Sequence, residues 1–180
     1  MTWRTRSSTV VYANPWIRVR EDAVVHPDGS DGIYGVVELV HPAVFVVALT
    51  DDDEVVLVEV PRYTTGALSL EVPAGGSDGE DPLLAAQREL REETGLTASS
   101  WERAGSMFAL NGVCRAREHV FLARGLTAAA EPAQLDAEGI TAVRRVPWRD
   151  ALALVADGTI TDGETIAALM QAALLLGRVR

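Results

Sequence analysis

Residues 81–95, Asp-Pro-Leu-Leu-Ala-Ala-Gln-Arg-Glu-Leu-Arg-Glu-Glu-Thr-Gly, constrain the fold more than any other stretch of the chain. Asp81 has the short acceptor side chain of an N-cap, and Pro82 suits the first helical position. Gly95 stands where a helix stops. The spacing therefore predicts a helix over 82–94. At about 100° per residue, with Glu89 at 0°, Glu92 falls at ~300° and Glu93 at ~40°. Leu83, Ala86, Leu90 and Thr94 fall together at roughly 60–140° as the face turned to the core. The three carboxylates thus border the core instead of pointing away from it. Glu89 and Glu93 are an unfavourable like-charge pair one turn apart, and Arg88 stands i,i+4 from Glu92, where it can hold that acid in place. An isolated pattern of this kind is usually a solvated acidic face. A hard divalent cation is the other way to relieve the repulsion, because Mg²⁺ takes carboxylate oxygens together with substrate phosphates.

Around this helix the pattern alternates between strand and helix signals. Residues 8–13 and 17–25 read as strands broken by Asn14-Pro15, and Pro27-Asp-Gly-Ser-Asp-Gly32 turns the chain into a returning strand at 33–40. These strands predict a small N-terminal antiparallel β unit over 1–40. Over 41–180, strands are expected at 43–49, 55–60, 68–72, 101–109, 118–123 and 140–147, with a polar loop at 127–139. Helices are expected at 148–157 and 163–177, the second started by Thr161 and Glu164 as a capping box with Ile166, Met170, Ala173 and Leu174 on one stripe. The fold class is an α/β layered domain.

Charge narrows the chemistry. All sixteen basic residues are arginine, against 26 acids, for a net charge of −10. Without lysine there is no Schiff base and no P-loop lysine. One cysteine, Cys114, forbids an internal disulfide, and the three histidines His26, His41 and His119 are too scattered for a local metal cluster. An acidic chain is a poor general nucleic-acid binder. The N-terminal residues have no apolar run behind them, and residues 166–176 are too short to span a bilayer, so a cytoplasmic protein that does not enter a membrane is the expectation.

Glu80, seven intervening residues and Arg88-Glu-Leu-Arg-Glu-Glu-Thr-Gly-Leu96 resemble the Nudix box, the signature of hydrolases acting on nucleoside diphosphates linked to another moiety. The preceding Leu70-Glu-Val-Pro-Ala-Gly75, the run Glu118-His-Val-Phe-Leu-Ala123 and the ending from Gly158 to Leu169 are similar to the ADP-ribose pyrophosphatase branch of that family. The resemblance implies a Nudix fold: an α/β/α sandwich with a mixed β-sheet, carrying the N-terminal unit as a dimerisation element that helps build the substrate site. It implies metal-dependent cleavage of a diphosphate, most readily in ADP-ribose or another ADP-sugar, to a nucleoside monophosphate and a sugar phosphate.

Carried over position by position, the resemblance implies Mg²⁺ or Mn²⁺ held by Glu89, Glu92, Glu93 and the carbonyl of Ala74, with Glu92 and Glu93 in the catalytic set. Arg88 orients the acids, and Glu80 is structural. The base of this branch lies in the loop before the last core strand, where Glu138 is favoured over Asp136. Arg62 is implied to contact substrate phosphate. From residue type alone, Trp16, Tyr34 and Phe108 offer faces on which a nucleobase can stack, with core or interface packing the more common role of such rings. Three departures stand beside these matches. Gly75 is one residue too close to Glu80, Val60 replaces a glutamine, and Asn111 stands where the branch has proline. The substrate therefore stays open to ADP-glucose, another nucleotide sugar or another nucleoside di- or triphosphate. A non-catalytic nucleotide-sugar sensor is the rival reading. The expected partners are a small nucleotide sugar and a second copy of the chain.

Overall fold

In the computed structural model, which describes residues 2–179, the chain divides into two units. One is the N-terminal segment up to Pro42 together with Met107–Glu118; the other is Ala43–Ser106 with the chain from His119 onward. Three antiparallel strands form most of the first unit: β1 (Arg4–Ala13), β2 (Ile17–Val25) and β3 (Asp31–Leu39). Local turn chemistry sets their reversals. The Asn14 carboxamide oxygen accepts from the amides of Trp16 and Ile17 at 2.9 and 2.8 Å, an Asx turn. At the next reversal Asp28 accepts from the Ser30 amide at 2.9 Å, and Gly29 takes φ 94°. The unit also recruits a distant segment: the Val37 amide donates to the Val113 carbonyl at 2.9 Å, and Val37 and Glu38 pair in parallel with Cys114 and Arg115. The β unit expected from 1–40 is thus larger than its local pattern shows, because pairing between residues 77 apart in sequence leaves no local signal. The bounds of the two expected segments include residues 1 and 180, which lie outside the described residues.

The second unit holds β4 (Ala43–Ala48), β5 (Glu54–Arg62), β6 (Ala67–Glu71), β7 (Ala74–Gly76), α1 (Pro82–Thr94), α2 (Leu135–Glu138), β10 (Ala142–Pro147), α3 (Trp148–Ala156) and α4 (Gly163–Leu175). It shares with the first unit the long strands β8 (Leu96–Ala109) and β9 (Cys114–Ala128). β9 neighbours β4, β4 neighbours β7, and β8 pairs with β9; β10, β5 and β6 form a separate antiparallel sheet. The strand β4 is buried on both faces, as its unbroken apolar run predicts. Val44, Val46 and Ala48 share a core cluster with Ala85, Ala86 and Leu90 of α1 and with Phe121 and Ala123 of β9. The helix α4 also packs against β4. Mixed sheets covered by helices match the expected architecture.

The helix α1 has the predicted ends. Asp81 accepts from the Leu83 amide, Pro82 opens the helix, and Gly95 closes it at φ 68°. The start of α4 differs from the expected capping box. Asp162 is the N-cap, accepting from the Thr165 amide at 2.7 Å, so the box of Thr161 and Glu164 does not form. Asp is at least as good a cap as Thr, and it stands one residue closer. The helix rotates accordingly: Thr165, Ala168, Leu169, Ala172 and Ala173 are buried, while Met170 and Leu174 are exposed. The strands expected at 101–109 and 118–123 extend to Leu96–Ala109 and Cys114–Ala128, and the polar loop at 127–139 contains the single turn α2. Exposed polar residues such as Arg115 and Arg117 in β9 read as loop, although they alternate with buried Ala116 and Glu118.

Candidate active site

The carboxylates of α1 lie at the margin of the core, as the helical geometry requires. Glu89 and Glu93 are buried at 5% and 8% exposure, on the same side as Ala85, Ala86 and Leu90. Burial without a full set of partners disfavours the charged form. Desolvation accordingly raises the Glu93 carboxyl to about 8, opposed by a hydrogen bond from the Ala74 amide to Glu93 Oε2 at 2.9 Å. The Glu89 carboxyl is raised to about 6 by burial, opposed by the Arg88 guanidinium. The negative charge of Glu138 pushes both upward. That shared influence ties α2 to α1 electrostatically, and a hydrogen bond from the Gln134 amide to the Glu92 carbonyl, at 2.7 Å, holds the two elements together.

Arg88 is the organiser of this cluster. One terminal nitrogen donates to Glu89 at 2.8 Å and to Glu92 at 3.1 Å. Its Nε reaches Glu80 at 3.1 Å, and its other terminal nitrogen donates to the Gly76 carbonyl at 2.9 Å. A single guanidinium fork therefore joins the turn before the helix to two carboxylates on it. Glu80 is the outer anchor of that fork, which fits its structural assignment. Glu92 also accepts from Arg91 at 3.1 Å.

The turn from β7 into α1 is shaped for close approach. A Cβ at Gly75 would overlap the Glu89 carboxylate, so only glycine lets that side chain rest on the backbone. On the other side of the turn, Arg62 makes a two-pronged pair with buried Glu71, Nε to Oε1 at 2.9 Å and a terminal nitrogen to Oε2 at 2.5 Å. The pairing raises Arg62 above its ordinary value, and the charges of Asp162 and Glu93 add to it.

The second unit thus brings together Ala74, Arg62, Arg88, Glu89, Glu92, Glu93 and Glu138. Asp136 is exposed on the same short turn as Glu138. The first unit holds Trp16 and Phe108, and both rings are exposed, at 72% and 54%. Neither is packed into a core. Two residues make contacts that the sequence does not announce. Glu71 fixes Arg62; its signal is a lone acid between Leu70 and Val72 in a short apolar strand. Gly75 matters through contact with Glu89, which no local pattern reports. His119, by contrast, is buried in β9, with Nδ1 2.7 Å from a terminal nitrogen of Arg103.

The donor set at α1 suits a hard cation chemically. Two buried carboxylates resist ionisation side by side, and an oxygen-seeking divalent ion removes that cost. As placed, Arg88 sits between Glu89 and Glu92, and among the described residues no three such side chains already converge on a single point.

A mixed α/β core that presents a carboxylate-bearing helix behind a glycine turn defines a class of enzyme whose chemistry is carried on one helix. Sequence comparison places the chain within that class. The NUDIX domain family model matches residues 39–169, and the nucleoside diphosphate sugar hydrolase N-terminal domain model matches residues 3–37. The chain belongs to the Nudix family and is a Nudix hydrolase. It is 32% identical to ADP-ribose pyrophosphatase of Bacillus subtilis over 168 residues, which cover 92% of this chain and 90% of that protein. It is 33% identical to ADP-ribose pyrophosphatase of Mycobacterium tuberculosis over 170 residues, 93% of this chain and 82% of that one. Among solved structures, the crystal structure of an ADP compounds hydrolase shares the fold, with a TM-score of 0.85 and 20% identity over 99% of this chain and 98% of that chain. Among the described residues no helix is long and apolar enough to cross a membrane.

Proposed function

We propose that this chain hydrolyses the diphosphate bond of an ADP-sugar, with ADP-ribose the first substrate to test, giving AMP and a sugar phosphate. The observation that carries the reading is the buried pair Glu89 and Glu93, held against the Gly75 turn by Arg88 and the Ala74 amide. Similarity over nine-tenths of the chain to two proteins named ADP-ribose pyrophosphatase supports the choice of substrate.

Glu89 and Glu93, with Glu92 and the carbonyl of Ala74, are the groups that would hold Mg²⁺ or Mn²⁺. An ion held there would supply positive charge to offset the diphosphate and would make the attacking water more acidic. Arg88 keeps Glu89 and Glu92 in register while substrate enters. Glu138 accepts the proton of the attacking water, its charge already reaching both buried acids. As the new P–O bond forms, the bridging P–O bond breaks, and the bridge oxygen leaves on the other phosphate. Arg62, half exposed and aligned by Glu71, offers its outer edge to the substrate phosphates. Trp16 and Phe108 supply stacking surfaces for the base. The functional particle is a homodimer, and its place is the cytoplasm.

Incubation with ADP-ribose, ADP-glucose and a panel of other nucleotide sugars, with and without MgCl2, tests the reading by ³¹P NMR. AMP and sugar phosphate are expected from an ADP-sugar only with the divalent ion. If no compound of the panel is cleaved, the diphosphatase reading is wrong. Light scattering at micromolar concentration should report twice the 19.3 kDa chain mass.

A further inference from the structure

The net charge of −10 is not shared between the two units. The first carries six arginines and six acids, so the second carries all of the excess. Within the neutral first unit the positive charge is concentrated at one place. A cavity of about 480 Å³ is lined by Arg18, Arg115, Arg117, His41, Phe108 and Glu38, all of them in that unit. Three guanidiniums thus face a single carboxylate.

The pairing within the cavity is incomplete. Arg115 lies 3.4 Å from Glu38, which it shares with Arg20 at 3.6 Å. Among the described residues no ion pair involves Arg18 or Arg117, and Arg117 rests instead over the face of Phe108, 5.6 Å from the ring centroid. An unpaired guanidinium laid against an aromatic ring is held in place by a contact that leaves its outer N–H donors unused. Arg117, held in this way, and Arg18, which has no ion-pair partner among the described residues, line one cavity in an acidic chain, an arrangement that favours a compact, doubly charged oxyanion.

We propose that this cavity is a binding site for a phosphate monoester, gripped by Arg117 and Arg18 with Arg115 held ready by Glu38. The phosphate is additional to the diphosphate assigned to α1. Its source is either a nucleotide substrate phosphorylated on its ribose or a separate small phosphorylated molecule. Binding itself does not depend on the diphosphatase reading; only the first of the two sources does.

Titration of the full chain with inorganic phosphate in EDTA, followed by calorimetry, tests the site with the divalent metal removed. Saturable binding is expected, weakened at least tenfold in the double variant R18Q/R117Q. Both side chains are exposed, so the melting temperature should not change. A wild-type chain that shows no saturable binding, or a double variant that binds equally well, overturns the proposal. Hydrolysis of ADP-ribose and of 2′-phospho-ADP-ribose then separates the sources. A KM raised in the variant for the phosphorylated substrate alone assigns the phosphate to the substrate. Non-competitive modulation of ADP-ribose cleavage by free phosphate, lost in the variant, assigns it to a separate ligand. Should neither compound be hydrolysed, the diphosphatase reading fails while the calorimetry still decides the site.

Discussion

Replacing Glu93 by glutamine should stabilise the metal-free protein at alkaline pH and leave it unchanged in acid. The cause lies in the buried position of the carboxyl, whose value rises from about 4.5 to about 8. A group whose folded value is raised contributes its full stability below the unfolded value and loses it as pH climbs through the folded one. For Glu93 that window runs from about pH 4.5 to about pH 8. At ~1.4 kcal/mol per unit the whole window is worth roughly 5 kcal/mol as a ceiling, and relaxation around the ionised group reduces it to ~2–3 kcal/mol. The introduced amide keeps the shape of the carboxyl, and its oxygen can still accept from the Ala74 amide. In a chain of this size ~1 kcal/mol moves the melting temperature by about 2–4 °C. Melts followed by circular dichroism in EDTA should therefore coincide near pH 4.5 and separate by on the order of 5–10 °C at pH 8.5, with the variant the more stable. MgCl2 should raise the wild-type melt at pH 8.5 and narrow the gap, while E93Q responds weakly. Parallel curves from pH 4.5 to 8.5 would mean instead that Glu93 ionises in the folded protein without penalty.

Four further substitutions probe three separate links. Gly75→Ala requires no unusual backbone angle, but its Cβ meets the Glu89 carboxylate; a displaced carboxylate should lower kcat by about 100-fold with a melt within a few degrees of wild type, and unchanged turnover removes Glu89 from the chemistry. Glu138→Gln should flatten the rise of kcat with pH and reduce it by ~10²–10⁴-fold, as expected for loss of a general base, whereas Asp136→Asn should do neither; the opposite pattern moves the base to Asp136. Asp81→Ala removes the acceptor for the Leu83 amide and should cost about 1 kcal/mol of stability by denaturant titration without altering KM. A loss below a few tenths of a kcal/mol would show that water replaces the cap.

What can be read from the residues is what repeats locally or is spelled out by short-range chemistry. The cap of Asp81, the stop at Gly95 and the carboxylates beside the core follow from helical spacing alone, and the structure has all three. The fork of Arg88 is half legible, since Glu92 is one turn away, but its bond to the Gly76 carbonyl depends on how the β7 turn folds back. The start of α4 misleads because Thr161, Asp162 and Glu164 offer two overlapping capping patterns, and packing of Ala168 and Ala172 against the core selects one of them. The closeness of Glu138 to the buried acids, the brace of Glu71 on Arg62 and the contact of Gly75 with Glu89 arise between segments separated in sequence. No periodicity encodes them.

The first unit is discontinuous along the chain, and this bears on the order in which the protein is made. Its three N-terminal strands end by Leu39, yet the segment that pairs with β3 is Met107–Glu118. At typical rates of synthesis, the ribosome must add these intervening residues over several seconds before that edge is covered. During that interval β3 is a free edge strand, with Ile33 at its surface 71% exposed even in the finished fold. Unpaired edges of this sort recruit other strands. The tip of the β8–β9 hairpin is therefore also the piece that ends the vulnerable phase of biosynthesis, and lesions there should show first as poor soluble yield, before any loss of catalytic rate.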